Sequence, residues 1–524
     1  MVTSPRYAGP VPAARRRLNR PWIAVLAVTA IAAAIRLVGL SHPPALVFDE
    51  FYYPKAGCIL LGESNKTCLL KEGAERLHRQ QRWDVGSWTH PPLGKWQIAL
   101  GIKAFGMNAF GWRFSSAVAG TLVVAITASI AAIAFRSALW TFVAGLLMAT
   151  EHMNVVMSRL ALLDVHLELW VAAGFLFLVL DKRWVELREP EPPTYPPGAE
   201  VFRVDEPEPR RPRVPSPILR PWRLAAGIAF GAAVAVKWSG VLALAAGVLL
   251  AVGWEATRRK RAGMTTAQAL GWTAAREGFG FVVFLLLVPI ATYMAVWLPW
   301  ANHFGFDVVK DPFHSLQQWW SWQHEMLDYH VGGLKEFEPG SSTPTHPYYS
   351  RPWRWLLLGR SVSMYVRDLG PDVRQILAIG NPVVFWGSLW TLPFAAWLWA
   401  RRRTWLYGLI VVGFSVQFFP WFLVDRPQFI FYALPFTPFL VLALVAMARE
   451  LSEARLVVRE DDGSIATDSE TGEPAISTRH PYRPVAWLLV LGALALFVWF
   501  WPVAAGLRIT DEHWQQIVWL RWWV

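Results

Sequence analysis

Apolar runs of roughly 17–22 residues recur along the whole chain, broken by short polar or basic stretches. A helix of that length crosses a hydrocarbon core of about 30 Å. Eleven such spans are expected, at about 22–40, 114–135, 138–156, 162–180, 222–236, 240–254, 278–298, 382–400, 404–423, 428–448 and 485–502. The fold class that follows is an all-α polytopic membrane protein with about 11 transmembrane helices. Basic clusters mark the cytoplasmic side of such proteins. Arg15-Arg16-Arg17, Asp181-Lys182-Arg183, Arg258-Arg259-Lys260-Arg261 and Arg401-Arg402-Arg403 all fall on one side of this eleven-span arrangement. The expected organisation is a cytoplasmic tail at 1–21, then a transmembrane domain at 22–505, then an outer C-terminal tail at 506–524. Two large extracytoplasmic loops fall at 41–113 and 301–380; a Pro/Arg-rich cytoplasmic linker falls at 182–221 and a cytoplasmic loop at 449–484. Within the first outer loop, Trp96 to Phe110 is amphipathic and too broken to span, and is expected to lie along the interface.

Composition agrees with this picture. The 524 residues are 54% hydrophobic and only 17% charged, against about 25% charged in soluble domains. Thirty-two tryptophans fit interfacial belts. The net charge of +12 does not point to nucleic acid, because the basic residues are scattered between apolar spans rather than gathered on a face. The first apolar run ends at Ser41-His42-Pro43-Pro44, without a small-residue cleavage site, and reads as a retained signal anchor. The two cysteines, Cys58 and Cys68, share the first outer loop. A disulfide and two free thiols are equally open readings, and further zinc-type ligand spacing is lacking.

The chemistry concentrates on the outer side. Val47-Phe48-Asp49-Glu50-Phe51 places two carboxylates just past the first span, a candidate site because charge is costly at a membrane edge, although an Asp-Glu pair in a loop is by itself more often simply solvated. His90 and Lys95 close the same loop, and Arg113 begins the second span. Arg159 and Asp164 lie at the next outer turn, Lys237 at the one after, His346 and Tyr348 in the second large loop, and Asp425 and Arg426 at the last turn. Arg36, near the outer end of the first span, either snorkels outward or faces the site. Each residue has a plain alternative: Lys95, Arg113 and Arg159 as interfacial anchors, Asp164 as a partner of Arg159 and a helix cap, the Trp319-Trp320-Ser321-Trp322 run as an interfacial helix. His303, His314, His324 and His330 have no ligand spacing, so no metal is expected. Together, cations around a carboxylate pair suit a phosphate-bearing substrate meeting a nucleophile that must lose a proton.

The chain resembles the protein O-mannosyltransferases of the GT-C class, and in particular their actinobacterial branch. The resemblance is carried by Phe48-Asp49-Glu50 with Tyr52-Tyr53, by His90-Pro91-Pro92-Leu93-Gly94-Lys95, and by Trp112-Arg113-Phe114-Ser115-Ser116. It continues through Arg159-Leu160-Ala161-Leu162-Leu163-Asp164, Val236-Lys237-Trp238-Ser239-Gly240, His346-Pro347-Tyr348-Tyr349-Ser350-Arg351-Pro352-Trp353-Arg354-Trp355 and Phe429-Ile430-Phe431-Tyr432-Ala433-Leu434-Pro435-Phe436. The resemblance implies a GT-C fold and an inverting transfer of mannose from polyprenyl-phosphate mannose to Ser or Thr hydroxyls of secreted or membrane proteins. It implies Asp49 as general base, with Glu50 holding the acceptor or orienting Asp49. It implies Arg113, Lys237 and Arg426 as contacts of the donor phosphate. His90, Lys95, Asp164, His346 and Tyr348 would shape the sugar and acceptor groove. No cofactor is firmly implied, and the sequence leaves a divalent-ion requirement open. Location in the bacterial plasma membrane and association with the Sec translocon are implied in the same way. Two departures stand out. The second loop is too short for the β-trefoil domain of the eukaryotic members, and Val165-His166-Leu167-Glu168 replaces the usual apolar run after Asp164.

Two other functions fit part of the pattern. A GT-C transferase acting on a glycolipid or cell-wall acceptor would use the same base and phosphate contacts. A lipid or sugar transporter would also place charges among many spans, but would need them accessible from both faces and built on paired broken helices.

Overall fold

A computed structural model describes residues 19–63, 65–68, 89–188, 216, 218–303, 307–331, 346–424, 426–458, 465–467, 475, 477 and 479–523. Most of the linker expected at 182–221, Asp425, Arg15-Arg16-Arg17 and the side chain of His303 lie outside the described residues. Among the described residues, nine helices are long and apolar enough to cross a membrane; two apolar helices, Ala138–Ala149 and Pro221–Val236, are shorter. The chain is a multi-pass, mostly helical membrane protein.

The first span is α1 (Asn19–Leu37), followed by a short outer helix α2 (Tyr53–Leu60). Next comes α3 (Leu93–Phe105), which was expected to lie along the interface. It buries Gly94, Lys95, Ile98, Ala99, Gly101 and Ile102 against α2, α4 (Ala109–Phe135) and α8 (Pro221–Val236), and leaves Leu100 and Phe105 exposed. Asn108 starts α4 by accepting from the Gly111 N–H at 3.0 Å.

The third expected span is broken into α5 (Ala138–Ala149) and α6 (His152–Ser158). The break has a local cause: Glu151 turns its carboxylate onto the Asn154 N–H at 2.7 Å and caps the second piece. That cap opens a buried polar cluster. Arg36 is fully buried there, bonding Asn154, Ser158 Oγ and the Ala149 carbonyl, so it neither snorkels nor faces the site. Gly120 makes room for this cluster, since a Cβ there would come within 1.9 Å of Ser158 Oγ. Small residues permit such close approach between membrane helices.

α7 (Leu163–Glu186) packs on α8, which leads to α9 (Gly240–Arg261). α10 (Thr266–Val282) runs through a π turn at Val283–Leu287 into α11 (Val288–His303), starting earlier than the 278 read from hydropathy. The second large loop contains α12 (Pro312–Val331), α13 (Pro352–Leu356) and two strands, β1 (Val362–Asp368) and β2 (Asp372–Ala378). After spans α14 (Pro382–Arg402), α15 (Trp405–Phe418), α16 (Thr437–Glu453) and α17 (Arg483–Ala505), β3 (Arg508–Thr510) completes an antiparallel sheet in the order β1-β2-β3. The sheet was not foreseen: its third strand pairs residues more than 130 positions apart, Asp372 with Thr510.

Candidate active site

The Asp49-Glu50 pair sits on a 3₁₀ turn, Phe48–Phe51, entered with Phe48 at φ 49°. A bulky residue in that region is strained and must be held by its surroundings. Glu50 does the holding. It is fully buried, and its two oxygens accept from Arg113 Nε and Nη2 at 2.7 Å each, from the Ala161 N–H at 2.8 Å and from the Val47 N–H at 3.1 Å. Arg113 is equally committed. Its remaining donors reach the carbonyls of Leu40, Pro43 and Ala45 at 3.3, 2.8 and 2.9 Å. All five guanidinium N–H groups are therefore used inside the loop, and none is left for a substrate phosphate.

Asp49, the neighbour of this locked pair, is only half-buried, and its carboxylate makes no hydrogen bond among the described residues. Burial pushes its pKa up to about 6, with Lys237 pulling it down and Asp164 pushing it up. Lys237 begins the turn between α8 and α9 and pairs with Asp164 at 2.8 Å. Asp164 thus does not pair with Arg159, which donates instead to the carbonyls of Ile35, Arg36, Val38 and Gly39. The Lys237 ammonium also lies 5.2 Å from the centre of the Tyr432 ring.

Arg426 reaches the same place from the turn before Ile430–Phe436. Its Nη2 donates to Tyr432 Oη at 2.8 Å and its Nη1 to His330 Nδ1. His330, near the end of α12, contacts the Thr89 carbonyl through Nε2 at 2.9 Å. The His90 and His330 rings lie 5.3 Å apart. Burial and nearby cations hold His90 well below the usual histidine range. Lys95 is fully buried; it donates to the His90 carbonyl at 2.6 Å, and burial lowers its pKa to about 7.

His346 and Tyr348 stand farther out, and His346 is exposed. An aromatic series links them to the turn: His346 on Phe429 at 4.8 Å, Phe429 on Phe431 at 5.2 Å, Phe431 on Phe48 at 6.1 Å. Cys58 and Cys68 form a disulfide that closes the outer end of α2. An apolar crevice bordered by Leu167, Val171, Leu242, Trp421 and Tyr432 opens beside the cationic groups. Among the described residues, no three His, Cys, Asp or Glu side chains are grouped to hold a metal ion.

The structure therefore brings Asp49, His90, Asp164, Lys237 and Arg426 together, keeps Glu50, Arg113 and Lys95 behind them, and sets His346 and Tyr348 at the edge. Sequence reasoning passed over Tyr432, which meets both cations, and His330. Tyr432 stood within a quoted motif but carried no charge to mark it. His330 lies 241 residues from Thr89 and 96 from Arg426, separations at which no spacing rule operates.

The fold and this one-sided cluster define a membrane glycosyltransferase of the GT-C class. The S. cerevisiae protein O-mannosyltransferase Pmt1-Pmt2 complex bound to the sugar donor has the same fold, with a TM-score of 0.67 at 15% identity, covering 96% of this chain and 93% of that one. Two models of one family match in sequence: dolichyl-phosphate-mannose-protein mannosyltransferase over residues 26–190, and the C-terminal four-transmembrane region of protein-O-mannosyltransferase over residues 315–523. The chain belongs to the protein O-mannosyltransferase family. Among its relatives is the polyprenol-phosphate-mannose–protein mannosyltransferase of Mycolicibacterium smegmatis, 29% identical over 96% of this chain and 93% of its own length. Those of Mycobacterium tuberculosis, at 28% over 96% and 92%, and of Corynebacterium glutamicum, at 27% over 99% and 97%, match similarly.

Proposed function

We propose that this protein transfers mannose from polyprenyl-phosphate mannose to Ser or Thr hydroxyls of proteins, with Asp49 as the general base. The observation that carries the assignment is the contrast within one dipeptide: Glu50 is saturated with four hydrogen bonds, while Asp49 is half-buried and free to accept a proton. A Ser hydroxyl becomes an effective nucleophile as a base takes its proton in the transition state. Asp49 receives that proton while the hydroxyl oxygen attacks the anomeric carbon and the bond to the phosphate oxygen breaks. The single displacement inverts the anomeric centre, and the departing polyprenyl phosphate gains negative charge. Lys237 and Arg426 are placed to stabilise it. Glu50 and Arg113 act as positioning residues that fix the turn. His90, Lys95 and Asp164 shape the inner wall, and His346 and Tyr348 the outer entrance where the acceptor arrives.

The donor is lipid-linked, so the site works from within the bilayer. We place it on the extracytoplasmic face of the bacterial plasma membrane, because the basic clusters fall on the other side. Acceptors would arrive there during or after secretion, which fits association with the Sec translocon. The test uses full-length protein in nanodiscs with radiolabelled polyprenyl-phosphate mannose and a Ser/Thr-rich peptide. Label on the peptide with wild type but not with Asp49→Asn is the expected result. Label only on a glycolipid when membrane extract is added would replace the protein acceptor with a lipid one.

A further inference from the structure

We propose that His330 is a positioning residue that fixes Arg426 for the donor phosphate, making α12 a structural part of the donor site. The proposal rests on the mannosyltransferase reading above and deepens it.

The two polar contacts of His330 agree on a single tautomer. The Thr89 carbonyl, 2.9 Å from Nε2, can only accept, so Nε2 carries the hydrogen. Nδ1 is then the lone-pair nitrogen, which is what Arg426 Nη1 needs as an acceptor. With Tyr432 Oη on Nη2 at 2.8 Å, both ends of the guanidinium fork are fixed by neutral partners. Among the described residues no carboxylate pairs with Arg426, so its charge is held in place without being neutralised, as a phosphate site requires. Arg113 is the opposite case, with all five donors used and a carboxylate on the fork.

The imidazole is held in turn. It lies 5.3 Å from the His90 ring and 5.8 Å from the Trp238 ring, and Trp238 is the neighbour of Lys237. Trp238 Nε1 donates to Tyr293 Oη at 2.9 Å, and that hydroxyl donates to Gln323 Oε1 at 2.5 Å, two turns before His330 on α12. One helix of the second large loop thereby touches Arg426 itself, Trp238 beside Lys237, and Thr89 of the first large loop. Burial, reinforced by Arg426, lowers the His330 pKa to about 4, so the imidazole stays the neutral acceptor at ordinary pH.

The experiment uses full-length protein in nanodiscs and separates donor from acceptor kinetics in wild type, His330→Ala, His330→Asn, His330→Gln, Arg426→Ala and the His330→Ala/Arg426→Ala double variant. His330→Ala is expected to raise the donor KM about tenfold, the scale of one hydrogen bond to a charged group, with the peptide KM unchanged. His330→Asn keeps an acceptor near the Nδ1 position and should restore most of the donor KM. His330→Gln reaches the Nε2 position but leaves Arg426 without its acceptor, and should behave like Ala. The double variant should be no worse than Arg426→Ala, because His330 acts through Arg426. An unmoved donor KM in His330→Ala, equal behaviour of Asn and Gln, or multiplying effects in the double variant would each overturn the proposal. The Asn and Gln pair decides the matter even where the Ala variant fails to fold. Failure of the mannosyltransferase reading would show in the wild type, as no labelled peptide; failure of the present proposal shows only in the variants.

Discussion

Two clusters of charge sit near opposite ends of one helix, α7, and they are built on different rules. Near its end, Asp181 meets Arg220 and Arg223 from α8 and its N-terminal flank, with Glu255 and Arg259 from α9 and Glu277 from α10. The contacts run from 2.6 Å for Arg220–Asp181 to 3.8 Å for Arg259–Glu277, and every carboxylate there meets at least two arginines. About 26 Å away along the axis, at 1.5 Å per residue, Asp164 pairs with Lys237, while the carboxylate of Asp49 beside them makes no hydrogen bond among the described residues. The first cluster is a clamp. Bringing charges out of water is costly, and that cost is offset only where every charge is paired, so a charge-paired cluster of this kind joins helix ends. The second is incomplete as it stands, which is the condition for binding and chemistry. Residue type does not separate the two; satisfaction does.

The comparison predicts its sharpest difference at the two aspartates. Asp49→Asn should reduce transfer by about 10²–10⁴-fold, the usual range for removing a general base, with the melting temperature unchanged or raised. The rise follows from linkage. A folded-state pKa near 6 lies above the ordinary carboxylate value, so the native state binds that proton more tightly, and ionised Asp49 becomes a stability cost as pH climbs through about 6. Asparagine removes the cost. Activity should run the other way, rising with pH through about 6 as the base loses its proton, and a pH–kcat/KM profile checks it. A full-activity Asn variant would end the assignment of the base.

Asp181→Asn should invert that signature. Breaking one partner of a buried pair costs about 3–5 kcal/mol, visible as a lower melting temperature in detergent, while the donor KM of the folded fraction stays put. A changed donor KM with intact stability would mean the clamp reaches the site. Lys237→Met should raise the donor KM about tenfold or more, because it removes a cation from the leaving phosphate and leaves Asp164 unpaired. Donor kinetics unchanged in that variant would return Lys237 to a structural role. The smallest effect belongs to Cys58→Ser with Cys68→Ser. Opening a ring this short costs about 2–3 kcal/mol by chain entropy, and with Glu50 and Arg113 still holding the Asp49 turn, transfer should fall only a few-fold. Loss of transfer as complete as that of Asp49→Asn would show that the disulfide, not the buried pair, holds the turn.

The membrane class and the placement of most helices were legible from the chain alone. Those features depend on the length and polarity of contiguous segments, and the bilayer reads such segments one at a time. The sequence also brought Asp49 and Lys237 to notice, since charge beside an apolar run stands out. What it left undecided depends on partners distant along the chain. Asp49 and Glu50 are adjacent carboxylates with no local physical difference, and the arrival of Arg113 and the Ala161 N–H on Glu50 is what distinguishes their surroundings. Arg113 and Arg426 were both read as donor-phosphate candidates; folding closes five donors of one onto a loop and leaves the other beside Tyr432 and His330. The pairing of Cys58 with Cys68, the turn of Arg36 into the protein and the strand added by Arg508–Thr510 were settled the same way. Hydropathy is a property of a segment, but hydrogen-bond satisfaction is a property of the fold, and here it is satisfaction that divides scaffold from site.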